Sequence, residues 1–328
     1  MNGANEHFTL SALSIDAEAE ADRIAARMRS ILRGDLRKRG FVIGISGGID
    51  SAVCAALAVR AVGPERVFGL LMPDRDSDPQ SSRLGEAVAK TFGIGHVVEN
   101  VGPALDAMGC YRRRDEAIRR VVPDYGACWS SKIVFDNALT AGGYNISSLV
   151  VRAPDGAMRK LRLPADAYLG IVAATNMKQR TRKQLEYYHA DRLNFAVIGT
   201  PNRLEYDQGF FVKNGDGAAD IKPIAHLYKS QVYELAAHLG VPEEIRKRPP
   251  TTDTYSLPQT QEEFYFALPY AKMDACLYAL DNCVPAAEAG AAIGLTEDEV
   301  GAVWSDIAAK RKAACYLHMP PVLAGQAD

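Results

Sequence analysis

The sequence predicts an α/β fold: a doubly wound, mostly parallel sheet with an inserted hairpin and helical segment and a helical C-terminal tail. Three observations carry this expectation. Short apolar runs alternate with amphipathic helical stretches at the spacing of βαβ units. One of these runs stops at Ser46-Gly47-Gly48 and passes at once into a helix-like run. The chain of 328 residues, 48% of them apolar, has enough material to cover both faces of a central sheet.

Residues 15–39 read as a helix, because Ile15, Ala19, Ile24, Met28, Ile31, Leu32 and Leu36 share one stripe. Residues 41–45 read as a buried strand, and 52–62 as a helix stopped by Gly63-Pro64. A second strand, 67–72, leads through a loop to another amphipathic helix ending near Phe92. Residues 101–163 break the rhythm and read as an insertion into the α/β unit. They carry Arg112, Arg113, Arg114, Arg119 and Arg120, then a hairpin, 148–152 against 158–163, around Ala153-Pro154-Asp155-Gly156. The pattern resumes with a helix over 176–192, a strand over 195–199, a long loop over 200–221 and a helix over 230–239. Residues 249–258 are a loop by composition, and 259–328 read as mostly helical.

Basic and acidic residues nearly cancel, 38 against 40, for a net charge of −2, which excludes a wrapping nucleic-acid binder. Cys54, Cys110, Cys128, Cys276, Cys283 and Cys315 are scattered without a closely spaced pair, so no structural zinc is expected and a reducing compartment is. No apolar stretch approaches the roughly 20 residues that span a bilayer. The first residues, MNGANEHFTL, lack the pattern of a signal peptide, and the expected location is cytoplasmic.

The chemistry concentrates in Gly44-Ile45-Ser46-Gly47-Gly48-Ile49-Asp50-Ser51. A strand ends, glycines permit a tight turn, and the free amides of a helix start form an anion site. Ser46 and Ser51 add hydroxyl donors. Asp50 beside a phosphate calls for a cation between them, which points to magnesium. The spacing is neither that of a Walker loop nor that of a dinucleotide fingerprint.

This loop resembles the SGGxDS pyrophosphate loop of the N-type ATP pyrophosphatases, adenylating enzymes of Rossmann-like fold. Further blocks single out one branch. They are Asn176-Met177-Lys178-Gln179-Arg180-Thr181-Arg182, then Gly199-Thr200-Pro201-Asn202-Arg203-Leu204-Glu205, then the run from Gly209 through Lys213 and Asp216 to Ile221. After them come Leu227-Tyr228-Lys229-Ser230-Gln231-Val232 and Pro250-Thr251. In this order they resemble the NAD synthetases over most of the chain outside the insertion and the tail.

The resemblance implies one synthetase domain over 1–328, with ATP and magnesium, attack of the deamido-NAD carboxylate at the α-phosphorus, and ammonia attack on the acyl-adenylate to give NAD, AMP and pyrophosphate. It implies catalytic roles for Asp50, Lys213 and Lys229. Asp50 and Glu205 would hold magnesium; the 44–51 loop, Arg75, Thr200, Lys229 and Thr251 would contact ATP. Arg180, Phe210, Lys213 and Asp220 would bind deamido-NAD. It also implies a homodimer. With 43 residues before Gly44, too few for a fused glutaminase, nitrogen is expected as free ammonia or from a separate glutaminase.

Three stretches depart from the family pattern: Tyr316-Leu317-His318-Met319-Pro320 where a His-Lys pair is usual, the run from Ser256 to Phe264, and the arginine-bearing insertion. They leave open an amide ligase for another carboxylate and, from a different class, a nucleotide-binding regulator without turnover. The arginine cluster and the lysines of the loops that would contact ATP imply a locally basic cleft, offset by acid elsewhere in a near-neutral chain.

Overall fold

A computed structural model describes residues 7–135, 147–251, 255–259, 265–266 and 268–325. Four parallel strands form the central sheet: β1 (Phe41–Gly44), β2 (Val67–Leu71), β3 (Gly95–Val98) and β7 (Ala196–Val197), in the order β3-β2-β1-β7. Along β1, Phe41 and Ile43 enter one core and Val42 the other, so a strand covered on both faces reads as an unbroken apolar run.

One face is covered by α1 (Ala17–Arg33), α2 (Ile49–Val62) and α8 (Lys229–His238), which pack on one another and on the strands. Helix α1 starts under an Asp16 cap, whose side chain accepts from the Ala19 amide at 3.0 Å. It ends at Arg33, short of the expected Arg39. The chain turns at Gly34, Arg37 adopts φ 53°, and Leu36 still packs against the same core. On the β2 side the loop after the strand leads into α3 (Pro79–Thr91).

The opposite face is covered by α6 (Ala165–Leu193), which begins eleven residues before the expected Asn176. Its buried positions include Lys178, Lys183, Glu186 and His189, so no apolar stripe marks its face. The inserted segment holds α4 (Gly102–Ala107), α5 (Cys110–Arg119) and an antiparallel sheet of β4 (Ser130–Phe135), β5 (Ser147–Arg152) and β6 (Met158–Arg162), in that order. The β5–β6 hairpin matches the expected one; β4 was not expected. Residues 136–146 of the insertion lie outside the described residues. Ile118, Ile133, Leu149, Val151 and Ile171 share one core, so the segment is packed onto α6. Gly170 lets α5 approach: a Cβ there would stand 2.9 Å from the Ala117 Cβ.

Beyond α7 (Arg203–Gln208) and α9 (Glu243–Lys247), the described C-terminal part is helical as expected. It comprises α10 (Tyr270–Asp281), α11 (Ala286–Ile293) and α12 (Glu297–His318), packed around Phe266, Leu277, Val300 and Ile307. Residues 260–264, 267 and 326–328 of that region lie outside the described residues, as do 252–254 of the preceding loop. Among the described residues no helix is long and apolar enough to cross a membrane.

Candidate active site

The glycine loop lies between β1 and α2. Gly48 precedes α2 in an extended conformation without a side-chain cap, leaving the first amides of the helix for an external acceptor. Gly47 sits at φ +78°, and a Cβ there would stand 2.4 Å from the Ser81 carbonyl oxygen, so no other residue fits. The serines brace the loop. Ser46 and Ser51 hydroxyls share a hydrogen bond at 3.1 Å, and Ser51 Oγ donates to the Gly48 carbonyl at 2.9 Å.

In the first turn of α2, Asp50 meets two elements distant in sequence. Lys229 Nζ, at the start of α8, donates to Asp50 Oδ2, and Asn202 Nδ2 donates to Oδ1 at 3.0 Å. Asn202 also caps α7 in a reciprocal box: its Oδ1 accepts from the Glu205 amide, and Glu205 Oε2 accepts from the Asn202 amide, both at 3.2 Å. Thus GTxNxxE places Glu205 by capping an α7 that begins where β7 has just ended. Asp274 fixes the other side, accepting from the Lys229 and Ser230 amides at 3.1 and 2.7 Å.

Burial, and then the neighbouring Asp50 carboxylate, push the Glu205 carboxyl up to about 8. Burial alone would lower Lys229, but the Asp50 and Glu205 carboxylates raise it. Because the folded chain holds the Glu205 proton more tightly than the unfolded chain, stability falls as pH rises from about 4.5 toward 8. In magnesium-free buffer, Glu205→Gln should therefore show a shallower loss of denaturation midpoint than the wild type over that window. Parallel curves for the two proteins would contradict this.

A cleft of about 430 Å³ opens over the carboxyl ends of the strands. Of the expected site residues, Gly44, Ile45, Ser46, Gly48, Ile49, Asp50, Ser51, Thr200, Glu205, Phe210 and Thr251 line it. Phe210 is held by Tyr265 and Phe266, with ring centroids at 4.7 and 5.7 Å. Other expected residues stand elsewhere. Lys229 is fully buried behind Asp50. Arg75 stacks over the Tyr111 ring at 3.8 Å. Lys213 Nζ donates to the Tyr316 and Met319 carbonyls at 2.7 and 2.9 Å, and Arg180 Nε donates to the Lys213 carbonyl at 3.2 Å. Asp220 Oδ2 accepts from the Val197 amide at 2.7 Å, completing the sheet edge. None of these five belongs to the described cleft lining.

The expectation of a basic cleft needs correction. The described lining carries Arg182, Lys183 and Arg248 against Asp50, Glu186, Glu205 and Asp216. The arginine cluster stays out of it. Arg114 is buried against Asp76 and Asp115, Arg112 pairs with Glu116, Arg119 donates to the Tyr125 carbonyl, and Arg120 pairs with Asp166. Charges adjacent in sequence are separated by the helix they lie on.

Sequence reasoning passed over several lining residues. Arg182, Lys183 and Glu186 descend one side of α6; Lys183 Nζ donates to Glu186 Oε2 at 2.6 Å. A helix with charged residues at i and i+3 reads as a solvated face, and only the approach of β1 makes this one internal. Arg248 lies just before Pro249-Pro250-Thr251, in a loop without the periodicity that marks an inward-facing side chain.

The comparisons agree with this geometry. The model of the NAD synthase family matches residues 23–122 and 147–312. The chain is 70% identical over 316 residues to an NH(3)-dependent NAD(+) synthetase of Rhizobium meliloti (strain 1021), covering 96% of this chain and 94% of the relative. It is 63% identical over 319 residues to that of Rhizobium rhizogenes (strain K84 / ATCC BAA-868), covering 97% and 96%. Among solved structures, NMN synthetase from Francisella tularensis matches with a TM-score of 0.65 and 23% identity, over 95% of this chain and 100% of that one, a likeness of fold. Loop, carboxylate pair, cleft and family match converge, and the chain belongs to the NAD synthase family.

Proposed function

We propose that this protein is an ammonia-dependent NAD synthetase: it adenylates the carboxylate of deamido-NAD with ATP, and ammonia then displaces AMP to form the amide. The observation that carries the reading is the placement of Asp50 and Glu205, from distant parts of the chain, against a helix start with free amides in one cleft. The identity to synthetases at 70% and 63% supports the choice of substrate.

Magnesium fits the residues present. Asp50 and Glu205 are hard oxygen donors whose mutual repulsion a divalent cation would relieve. Among the described residues no group of three or more His, Cys, Asp or Glu could hold a metal unaided, so phosphate oxygens would complete the shell. When bound, the ion would offset phosphate charge that a cleft with more acids than bases cannot. Lys229 holds the Asp50 carboxylate in place, and the α2 amides receive phosphate oxygens. Electrons of the bond broken at the α-phosphorus leave on pyrophosphate; the chain positions reactants and needs no covalent nucleophile. A homodimer belongs to the same proposal, as does nitrogen taken as free ammonia or from a separate glutaminase.

The test is AMP release from ATP with magnesium, ammonium and deamido-NAD. AMP release with another carboxylate but not with deamido-NAD would replace the substrate; tight ATP binding with no turnover on any carboxylate would favour the regulator.

Lys213 and Arg180 sit together outside the described cleft lining, and under this reading they bind deamido-NAD. Lys213→Ala should raise KM for deamido-NAD by about tenfold, the scale of one hydrogen bond to a charged group, with KM for ATP unchanged. Steady-state kinetics with each substrate varied would show it, and an equal loss toward ATP would contradict the assignment.

A further inference from the structure

We propose that Arg248 is a phosphate-binding residue, carrying the terminal phosphates of ATP and the pyrophosphate they become; this rests on the nucleotide reading above. A triphosphate needs cationic donors, and the other basic side chains of the described lining, with Lys229 behind it, are committed. Arg182 Nε donates to the Met72 carbonyl at 3.0 Å and its Nη2 to the buried Asp74 carboxylate at 2.8 Å. Lys183 is buried against Glu186, and Lys229 is buried against Asp50.

Arg248 differs in both place and partner. Its Nη1 and Nη2 each donate to Ser81 Oγ at 3.2 Å, and Nη2 also donates to Asp78 Oδ2 at 3.0 Å. Ser81 is the residue whose carbonyl lies against Gly47, so the guanidinium stands one residue from the phosphate loop and faces the same cleft. The Asp78 side chain is 48% exposed, against 14% for Arg248, so water screens this ion pair and a phosphate can displace the carboxylate. Arg248 itself is extended, φ −73° and ψ 126°, as a residue before proline must be, which holds its side chain on the cleft wall. A planar guanidinium then offers two parallel donors to a phosphate.

The experiment is equilibrium titration of ATP, pyrophosphate and AMP, without carboxylate substrate, into wild type, Arg248→Gln, Arg248→Lys and Asp78→Asn, each checked by thermal melting. Arg248→Gln should weaken ATP and pyrophosphate at least about tenfold and leave AMP within about twofold. Arg248→Lys, which keeps the charge but not the fork, should fall between, and decides the matter if the glutamine variant does not fold. Asp78→Asn retains the acceptor oxygen that caps α3 and frees Arg248, so ATP should bind as well as in wild type or better.

Unchanged ATP affinity in both Arg248 variants would overturn the proposal, as would an equal loss of AMP affinity. Loss of ATP binding in Asp78→Asn as large as in Arg248→Gln would reduce Arg248 to a strap between α3 and the proline loop. Wild type that binds ATP but forms no AMP with deamido-NAD would sink the activity reading alone. Wild type that binds no ATP would sink both.

Discussion

Asp50→Ala should abolish AMP formation, by at least about a thousandfold, and destabilise the fold by about 3–5 kcal/mol at the same time. The first effect follows from the role proposed for Asp50, which lines the cleft and with Glu205 would hold magnesium on the phosphates. The second follows from Lys229, which has no exposed surface and donates to Asp50 Oδ2. Removing the carboxylate strands a buried ammonium group beside the Glu205 and Asp274 carboxyls, both of which burial pushes toward the neutral form. Asp50→Ala combined with Lys229→Met removes both charges, so it should recover most of the lost stability while remaining inactive. Denaturant titration and AMP release on the three proteins check this. A single variant as stable as wild type would show that Lys229 does not depend on Asp50.

The other large effect is expected at Lys178, which is 1% exposed inside α6. Its ammonium donates to Asp74 at 3.2 Å and Asp76 at 2.7 Å, while Arg182 and Arg114 hold the same two carboxylates from other sides. Lys178→Met leaves each carboxylate with one cation fewer in a dry site, and should destabilise by about 3 kcal/mol. Burial works to raise Asp76, yet Lys178 and Arg114 hold its carboxyl below the usual range. A depressed carboxyl contributes stability that is lost as pH falls through its folded value. Removing Lys178 raises that value, so acid unfolding should begin at a higher pH in the variant. The loop that carries Asp74 and Asp76 also supplies Pro73 and Ser77 to the cleft, so KM for ATP should rise as well. An unshifted acid transition would show that Arg114 and Arg182 suffice alone.

The two variants also separate what is local from what is not. The phosphate loop is readable because its determinants are adjacent: a strand apolar on both faces, a Gly47 that must take φ +78°, and an uncapped helix start at Gly48. GTxNxxE is readable for the same reason, since Asn202 and Glu205 cap one another within four residues. The parallel sheet follows from apolar runs separated by helices, and the hairpin from its proline and glycine turn. The first turns of α6, 165–175, were hidden because they bury only Ala167, Ile171, Ala174 and Thr175, mostly small side chains that make a faint stripe; the buried lysines and Glu186 lie farther along, where the helix was expected. Strand β4 was hidden because Ser130-Ser131-Lys132 obscures its alternation.

The sequence by itself determined the α/β class, the phosphate loop, the carboxylate pair and the family. Tertiary structure decided which charges are internal. Lys229 is drawn under Asp50 across 179 positions and Lys178 onto Asp76 across 102, while the clustered arginines 112–114, 119 and 120 of the insertion stay outside the described cleft lining. The reason is physical: a charged side chain enters a low-dielectric interior only where a partner of opposite sign meets it, and the fold brings that partner from far along the chain.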